Sequence, residues 1–376
     1  MPRLVARSSA AVVLSLAATA AWISPAALAA SARPVTASPS AAAITGSLSG
    51  VAATSASNAW AVGTAGSASL ALHWNGHSWA RVSAPGSGLG NVAASSASNA
   101  WAIGSAGSGQ AIFHWNGHSW KRTPAPLSKA DVLGVTTTSA SNAWVVGEVV
   151  TSSVRTLILH WNGHAWKRVS SPNPHPFRNT GDVLTSVTAL SARNAWAVGA
   201  VTSNVAGPIS GLILHWNGRS WARASATAVT KPSSGGVGGI TATSAGNVWA
   251  AGCDCAGGPD GGVIGHWNGH RWAEQRTPDQ HKFGTALSSI GASSRRSAFA
   301  VGTYCKSACT TEHPFYTGLI LRWTGSAWKI AAGPLKRNES LTGVAVTSAS
   351  NAWAVGDAGN DAVILHWNGH SWQAQS

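Results

Sequence analysis

Charge is what this sequence has least of: charged residues make up 10% of it, against about 25% in an ordinary soluble domain. Only 11 of the 376 residues are Asp or Glu, so chemistry that needs paired carboxylates is poorly supplied. There is one Met, with 2 Tyr and 5 Phe, and the 4 Cys are too few for a disulfide-dense scaffold. After Ile23 no apolar run approaches the roughly 20 residues of a spanning helix. A Gly-x-Ser-x-Gly elbow, a His-Glu-x-x-His pair and a phosphate loop are all missing, which removes the commonest hydrolase, metalloprotease and nucleotide signatures. What is present is 44% hydrophobic residues, 42 Gly and 21 Trp. That supports a large core and suggests one Trp-bearing unit copied many times.

The first 30 residues read as a secretory signal peptide. Arg3 and Arg7 open it, Ala10 to Ile23 is uncharged and apolar, and Ser24-Pro25 breaks the run. Ala27-Leu28-Ala29 then supplies small residues for cleavage. Residues 31–46, rich in Ser, Ala and Pro, are expected to be a flexible linker. No Cys follows the leader, so lipid anchoring is not expected there. The predicted location is secreted, with cell-wall association open. Without Arg3 and Arg7 the chain keeps 23 basic against 11 acidic side chains, a net charge of +12.

The remainder is one pair of phrases written seven times. Leu48-Ser-Gly-Val-Ala-Ala-Thr-Ser-Ala-Ser-Asn-Ala-Trp60-Ala-Val-Gly63 is followed by Leu70-Ala-Leu-His-Trp74-Asn-Gly-His-Ser-Trp79. The first aromatic recurs at Trp101, Trp144, Trp196, Trp249, Phe299 and Trp353. The second phrase recurs around Trp115, Trp161, Trp216, Trp267, Trp323 and Trp367. The first-phrase spacing of 41 to 54 residues is in the range of propeller blades.

Each copy carries four β-prone runs, placed in the first at Gly50–Thr54 (a), Ala59–Gly63 (b), Leu70–Trp74 (c) and from His77 onward (d). The expected fold is therefore all-β, a seven-bladed propeller with four antiparallel strands per blade. The blades are expected at about 47–85, 88–126, 131–173, 182–226, 235–278, 285–334 and 339–376. Asn75-Gly76 reads as a two-residue type I′ hairpin. That register would set Trp74 opposite His77 and Leu72 opposite Trp79, with all four on one face. Closure is expected from packing of blade seven on blade one, with a strand at 41–44 as an alternative. The repeat resembles the Asp-box and kelch-type propeller repeats, including secreted bacterial ones with a Trp-Asn-Gly-x-x-Trp corner. The Asp that names the Asp box is missing here, so the resemblance implies architecture and no catalytic property.

The a–b and c–d turns barely vary among copies, whereas the b–c and d–a connections do. A site is therefore expected on the b–c/d–a face, since function collects in loops held by a rigid scaffold. Residues that break the repeat there are His175, His281, Asp254, Asp260, Glu312, His313, Phe315 and Tyr316. They read as ligand-binding residues, or as solvated loop positions; no catalytic residue, metal or cofactor is assigned. Cys253, Cys255, Cys305 and Cys309 read as disulfide cysteines. Cys305–Cys309 closes easily, Cys253–Cys255 makes a strained small ring, crossed pairing is open, and a four-thiolate zinc site is the alternative.

The histidines before the second Trp (His73, His114, His160, His215, His266, His366) read as cross-strand hydrogen-bond partners inside each blade. The set after the turn (His77, His118, His164, His270, His370) is replaced by Arg219 and Ser326 elsewhere, which fits packing or an exposed edge. Twenty Trp at fixed positions read as inter-blade core and not as sugar platforms. Arg81, Lys121-Arg122, Lys167-Arg168 and Arg223 fall on the outermost strands, where charge blunts edge-to-edge aggregation. Sialidase-like and copper-oxidase-like propeller sites are excluded, because Tyr304 and Tyr316 share one loop. The functional expectation is an extracellular binding propeller whose partner is a protein or a cell-envelope polysaccharide. The alternative is a secreted lyase or glycan hydrolase using His175, His281, Glu312 and His313. Nucleic acid is an unlikely ligand by this reading, and a monomer is expected.

Overall fold

Alternating small and branched residues, cut every few positions by Asn-Ala-Trp or Asn-Gly, leave the chain with one cheap option: short antiparallel strands. A computed structural model describes residues 44–174, 180–203, 207–230, 236–253, 262–278, 285–305, 316–336 and 338–375. Among them run 28 strands, from Ser47–Ser55 to Trp372–Gln375, in seven consecutive sets of four. Blade one is Ser47–Ser55 (a), Asn58–Ala65 (b), Ala68–Trp74 (c) and Trp79–Arg81 (d), hydrogen-bonded in the order a-b-c-d. Ala41–Ser376 forms one compact unit, and among the described residues no helix is long and apolar enough to cross a membrane.

The strand-b tryptophan carries the assembly. Trp60 stacks on His73 of its own blade at 4.3 Å and meets Trp115 and Trp120 of blade two at 4.9 and 5.1 Å. The same triad forms at each junction: Trp101 with Trp161 and Trp166, Trp144 with Trp216 and Trp221, and Trp196 with Trp267 and Trp272. Trp249 with Trp323 and Trp328, then Phe299 with Trp367 and Trp372, continue it. Trp353 on Trp74 and Trp79 completes the ring. The strand-d ring meets its neighbour edge-on, at 79–88°, the arrangement the ring quadrupole favours. Strand-b Trp side chains are at most 3% exposed. Their indole N–H groups have no conventional acceptor.

Closure is thus by packing, as expected. Leu48, Leu70 and Leu72 of blade one share a core cluster with Trp353, Val355 and Ile364 of blade seven. Thr342 Oγ1 also donates to the Leu48 carbonyl at 2.7 Å. The leading segment contributes only a clip: Thr45 bridges Asp361, Gly46 N donates to Asn360 O and Ala362 N to Ile44 O. The alternative strand at 41–44 lies outside the described residues except for Ile44.

The c–d hairpin corrects the expected register. Trp74 pairs directly with Trp79, His73 with Ala80 and Leu72 with Arg81. Asn75–Ser78 is therefore a four-residue turn, and His77 lies in it, off the apolar face. The side chain of Asn75 closes this turn, its Oδ1 accepting from the backbone N–H of His77 and Ser78 at 2.9 and 3.0 Å. Only Gly76 takes a positive φ, +98°, whereas a type I′ turn needs two. Trp74 Nε1 then donates to Ala56 O in the a–b turn at 2.9 Å, which ties both short turns together at one end of the blade.

One glycine per blade is obligatory. A Cβ on Gly63 would collide with the Ser47 carbonyl, because strand a bulges between Leu48 and Gly50 and presses its backbone on strand b. The same collision would occur at Gly104, Gly147, Gly199, Gly252, Gly302 and Gly356. Strand a of six blades lines a narrow central cavity of about 80 Å³, with Ser49, Asn91, Thr185, Ser288 and Thr342 among its residues.

Because all junctions are built alike, removing a strand-b ring should cost the same wherever it is done. Trp144→Ala and Trp353→Ala should each lose about 3–5 kcal/mol in urea unfolding. A markedly cheaper Trp353→Ala would mean that the ring is not closed by this contact.

Candidate functional site

The most repeated polar chemistry is structural. In blade one Asn58 Nδ2 donates to Thr54 Oγ1 at 2.7 Å, and His73 Nε2 lies 2.8 Å from Asn58 Oδ1. Since Nδ2 is committed to the Thr hydroxyl, Oδ1 accepts and His73 carries its proton on Nε2. Ser95-Asn99-His114, Thr138-Asn142-His160, Thr243-Asn247-His266 and Thr347-Asn351-His366 repeat the relay. The cross-strand hydrogen bond expected of these histidines is present, and its partner is the Asn that opens strand b.

Blade four has Leu190 where the others have Thr or Ser, and its His215–Asn194 contact lengthens to 3.3 Å. Blade six replaces three members together: Ser297, Phe299 and Arg322 stand where Asn, Trp and His are the rule. The smaller Phe leaves room for the Arg322 guanidinium, which turns to lie 4.7 Å over the Trp367 ring of blade seven. Burial pushes the pKa of His73, His114, His160, His215, His266 and His366 below the ordinary imidazole value, with the Arg295 charge adding to it at His266. The lowered pKa favours the neutral ring that the stacking and the relay use.

The loop residues singled out from the sequence fall elsewhere. His175, His281, Asp254, Asp260, Glu312, His313 and Phe315 lie outside the described residues. Tyr316 is described only as backbone paired with Cys305 in blade six. Cys255, Cys309 and the side chain of Cys305 are likewise outside them. Cys253 closes strand b of blade five and is not a free thiol. Its backbone pairs both with Gly262 and with Ala286 of blade six, joining the two blades at the loop end. Among the described residues no group of three or more His, Cys, Asp or Glu is placed to hold a metal ion.

Two carboxylates on the loop end were not singled out beforehand. Asp131 and Glu148 face each other across strands a and b of blade three, and Gln110 Nε2 of blade two donates to Asp131 Oδ1 at 3.0 Å. Burial, then the Asp131 charge, raises the Glu148 pKa. The signal was available, because Glu148 follows the obligatory Gly147 at a position held by Thr64 in blade one and Ser105 in blade two.

The described surface also contains two grooves built alike. One lies between blades three and four and is lined by Arg168, Trp216, Arg219 and Ser220, with a volume near 540 Å³. The next lies between blades four and five, lined by Arg223, Trp267, His270 and Arg271, with a volume near 320 Å³. Each is formed by strand d of one blade and the c–d turn of the next. Both therefore sit on the outer rim at the end with the short turns.

No protein-family model matches the chain, and no curated protein matches it in sequence. Its fold is shared with solved propellers. The GH74 xyloglucanase of Xanthomonas campestris is 14% identical with a TM-score of 0.58, over 89% of this chain and 55% of that one. This chain thus spans about half the length of that enzyme. A streptogramin B lyase is 12% identical at 0.54, over 88% of this chain and 94% of that one. The WD40 repeats of RRP9 are 11% identical at 0.53, over 82% and 86%. At such identities the likeness is one of fold.

Two outcomes follow from the relays. Six histidines with depressed pKa values bind fewer protons folded than unfolded, so stability is present above the unfolded value of about 6.5 and is lost as pH falls below it. Glu148 has the opposite sign: with its pKa raised in the fold, its contribution is present below the ordinary value of about 4.5 and is lost as pH rises above it. Thermal unfolding between pH 7.5 and 5.5 should show a falling midpoint, with a shallower slope in His160→Gln. Leu190→Thr should restore the blade-four relay and add about 0.5–1 kcal/mol, read as a higher Tm.

Proposed function

We propose that the chain is an exported binding propeller whose partner, an extracellular protein or a cell-envelope glycan, is held on the b–c/d–a face. The observation that carries this is how the repeat divides its residues between scaffold and surface. The recurring strand residues are used inside or between blades: Trp and the strand-c His in stacking, Asn and Thr in the relay, Gly against the strand-a bulge. What varies is concentrated at the opposite end from the short turns. In blades one, two and seven the b–c connection is a tight turn with Gly66, Gly107 or Gly359 at positive φ. In blades five and six it opens into residues 254–261 and 306–315 between paired strand ends.

A closed ring holds the strand ends that border these connections at fixed relative positions without itself having to move. That suits recognition, because a rigid scaffold adds little ordering entropy to binding. The Asp131–Glu148 pair contributes negative charge to this face, while the rim is basic, so the two surfaces select for different partners. The leader-like first 30 residues support export to where such partners are found.

The reading is tested by grafting. Residues 254–261 and 306–315 are replaced by the Ala65–Ala68 turn of blade one, with Cys253 and Cys305 changed to Thr. Binding to a printed array of cell-envelope glycans and to immobilised envelope proteins should drop about tenfold or more, while the far-ultraviolet circular dichroism stays that of the parent. Unchanged binding by the grafted chain would remove the face from consideration.

A further inference from the structure

The rim grooves belong to a longer and one-sided pattern. Counting two residues on from the strand-d Trp gives Arg81, Arg122, Arg168 and Arg223 in blades one to four, then Glu274, Ile330 and Ala374 in blades five to seven. All seven side chains are exposed. Across each of the first four junctions, the c–d turn of the next blade offers His118, His164, Arg219 or His270, also exposed. Lys121, Lys167 and Arg271 add to the same stretch. From residue 47 to 181 the only carboxylates are Asp131 and Glu148, and strand pairing holds those two at the loop end. The arc is therefore basic with no acidic residue among its described members.

Protection of sheet edges does not account for this. Every blade ends in the same short strand d, three or four residues long. Edge protection calls only for charge of either sign, which strand d carries in six blades, Glu274 and Lys329 included; it does not call for arginine at one position in four consecutive blades and in none of the other three. One of those three exposes Ile330 at 40%.

We infer that this arc, from Arg81 round to Arg271, is a docking track for an acidic polysaccharide, one carrying carboxylate, sulfate or phosphate on its sugars. It is distinct from the loop face. Arg suits such a partner because its planar fork grips a carboxylate or phosphate through two parallel hydrogen bonds. The arginines recur at blade spacing, as charges recur along a polymer of identical units. Exposed Ser170, Ser220 and Ser225 lie in the grooves as hydroxyl partners, beside the half-buried edges of Trp216 and Trp267. A single-stranded nucleic acid is less well served, because it needs an aromatic face free to stack a base. Here Trp216 already packs on Trp144 and Trp221 at 5.3 and 5.9 Å, and Trp267 on Trp196 and Trp272 at 5.5 and 6.1 Å. Arg168 also donates to the Pro126 carbonyl at 3.4 Å, which steadies one fork and leaves its remaining N–H groups for the ligand.

The test uses the whole chain and two charge-matched quadruple variants. One changes Arg81, Arg122, Arg168 and Arg223 to Gln; the other changes Arg276, Arg296, Lys329 and Lys336 to Gln, all exposed but off the arc. The probes are polygalacturonate, its neutral methyl ester, poly-glutamate and single-stranded DNA, titrated at about 20 and 300 mM salt. Polygalacturonate should bind at low salt and weaken steeply at high salt. The arc variant should lose about thirtyfold in affinity and the control less than about threefold. If the quadruple arc variant fails to fold, Arg168→Gln and Arg223→Gln alone should each weaken binding about threefold.

Equal losses in the two quadruple variants would reduce the effect to net charge and overturn the proposal. So would equal binding of the methyl ester, no binding of polygalacturonate, or tighter binding of poly-glutamate or DNA. The loop graft described above should leave polygalacturonate binding unchanged, so that failure of one reading is separable from failure of the other.

Discussion

The structure depends on one contact made seven times: a buried strand-b aromatic ring wedged between its own blade and the paired rings of the next. In six blades that ring is Trp, lying on a neutral His and meeting an edge-on strand-d indole. In blade six it is Phe299, and Arg322 reaches over Trp367 beside it. Because each ring belongs to one blade and its two partners to the next, no blade buries its own large face alone. Stability is shared around the circle, and the last junction, Trp353 on Trp74 and Trp79, is chemically the same as the others. A chain with 10% charged residues can be held this way because the work is done by apolar area and ring geometry.

That contact also explains the distribution of surface chemistry. To present two rings to its neighbour, each c–d hairpin must place Trp74 and Trp79 directly opposite one another. The four-residue Asn-Gly turn that achieves this projects its third and fourth residues outward beside strand d of the preceding blade. The two rim grooves are the space left between that turn and that strand. What differs around the circle is the strand-d position, arginine in four blades and other residues in three. The loop end is free of these constraints, and only there do connections lengthen and carboxylates face each other, as Asp131 and Glu148 do.

Much of this was legible in the residues because repetition exposes what is constant. The seven-blade count, the four strands, closure by packing and the burial of the tryptophans all follow from the recurring Asn-Ala-Trp and Trp-Asn-Gly phrases. The turn was misread because Asn75-Gly76 also specifies a two-residue hairpin. The competing Asx closure, with Oδ1 gripping two backbone N–H groups, becomes visible only when the flanking tryptophans are seen paired. That single register shift moved His77 off the apolar face and set Arg81 opposite Leu72. The strand-d arginines read as edge protection one blade at a time; their confinement to four blades shows when equivalent positions of the seven repeats are compared. Asn194 and Leu190 illustrate the reverse case, in which a break in the repeat predicts a local weakness that the 3.3 Å contact displays.

The residues alone determined the kind of strand, the number of units and the identity of the core, because those depend on local alternation and on a pattern copied within one chain. Tertiary structure decided which polar groups are spent and which remain for a partner. His73 looks as reactive as His77 in the sequence, yet one is buried against Trp60 in a hydrogen-bonded relay and the other stands in a turn. Desolvation and partner geometry separate them, and both arise only when strands from different parts of the repeat, and rings from different blades, are brought into contact.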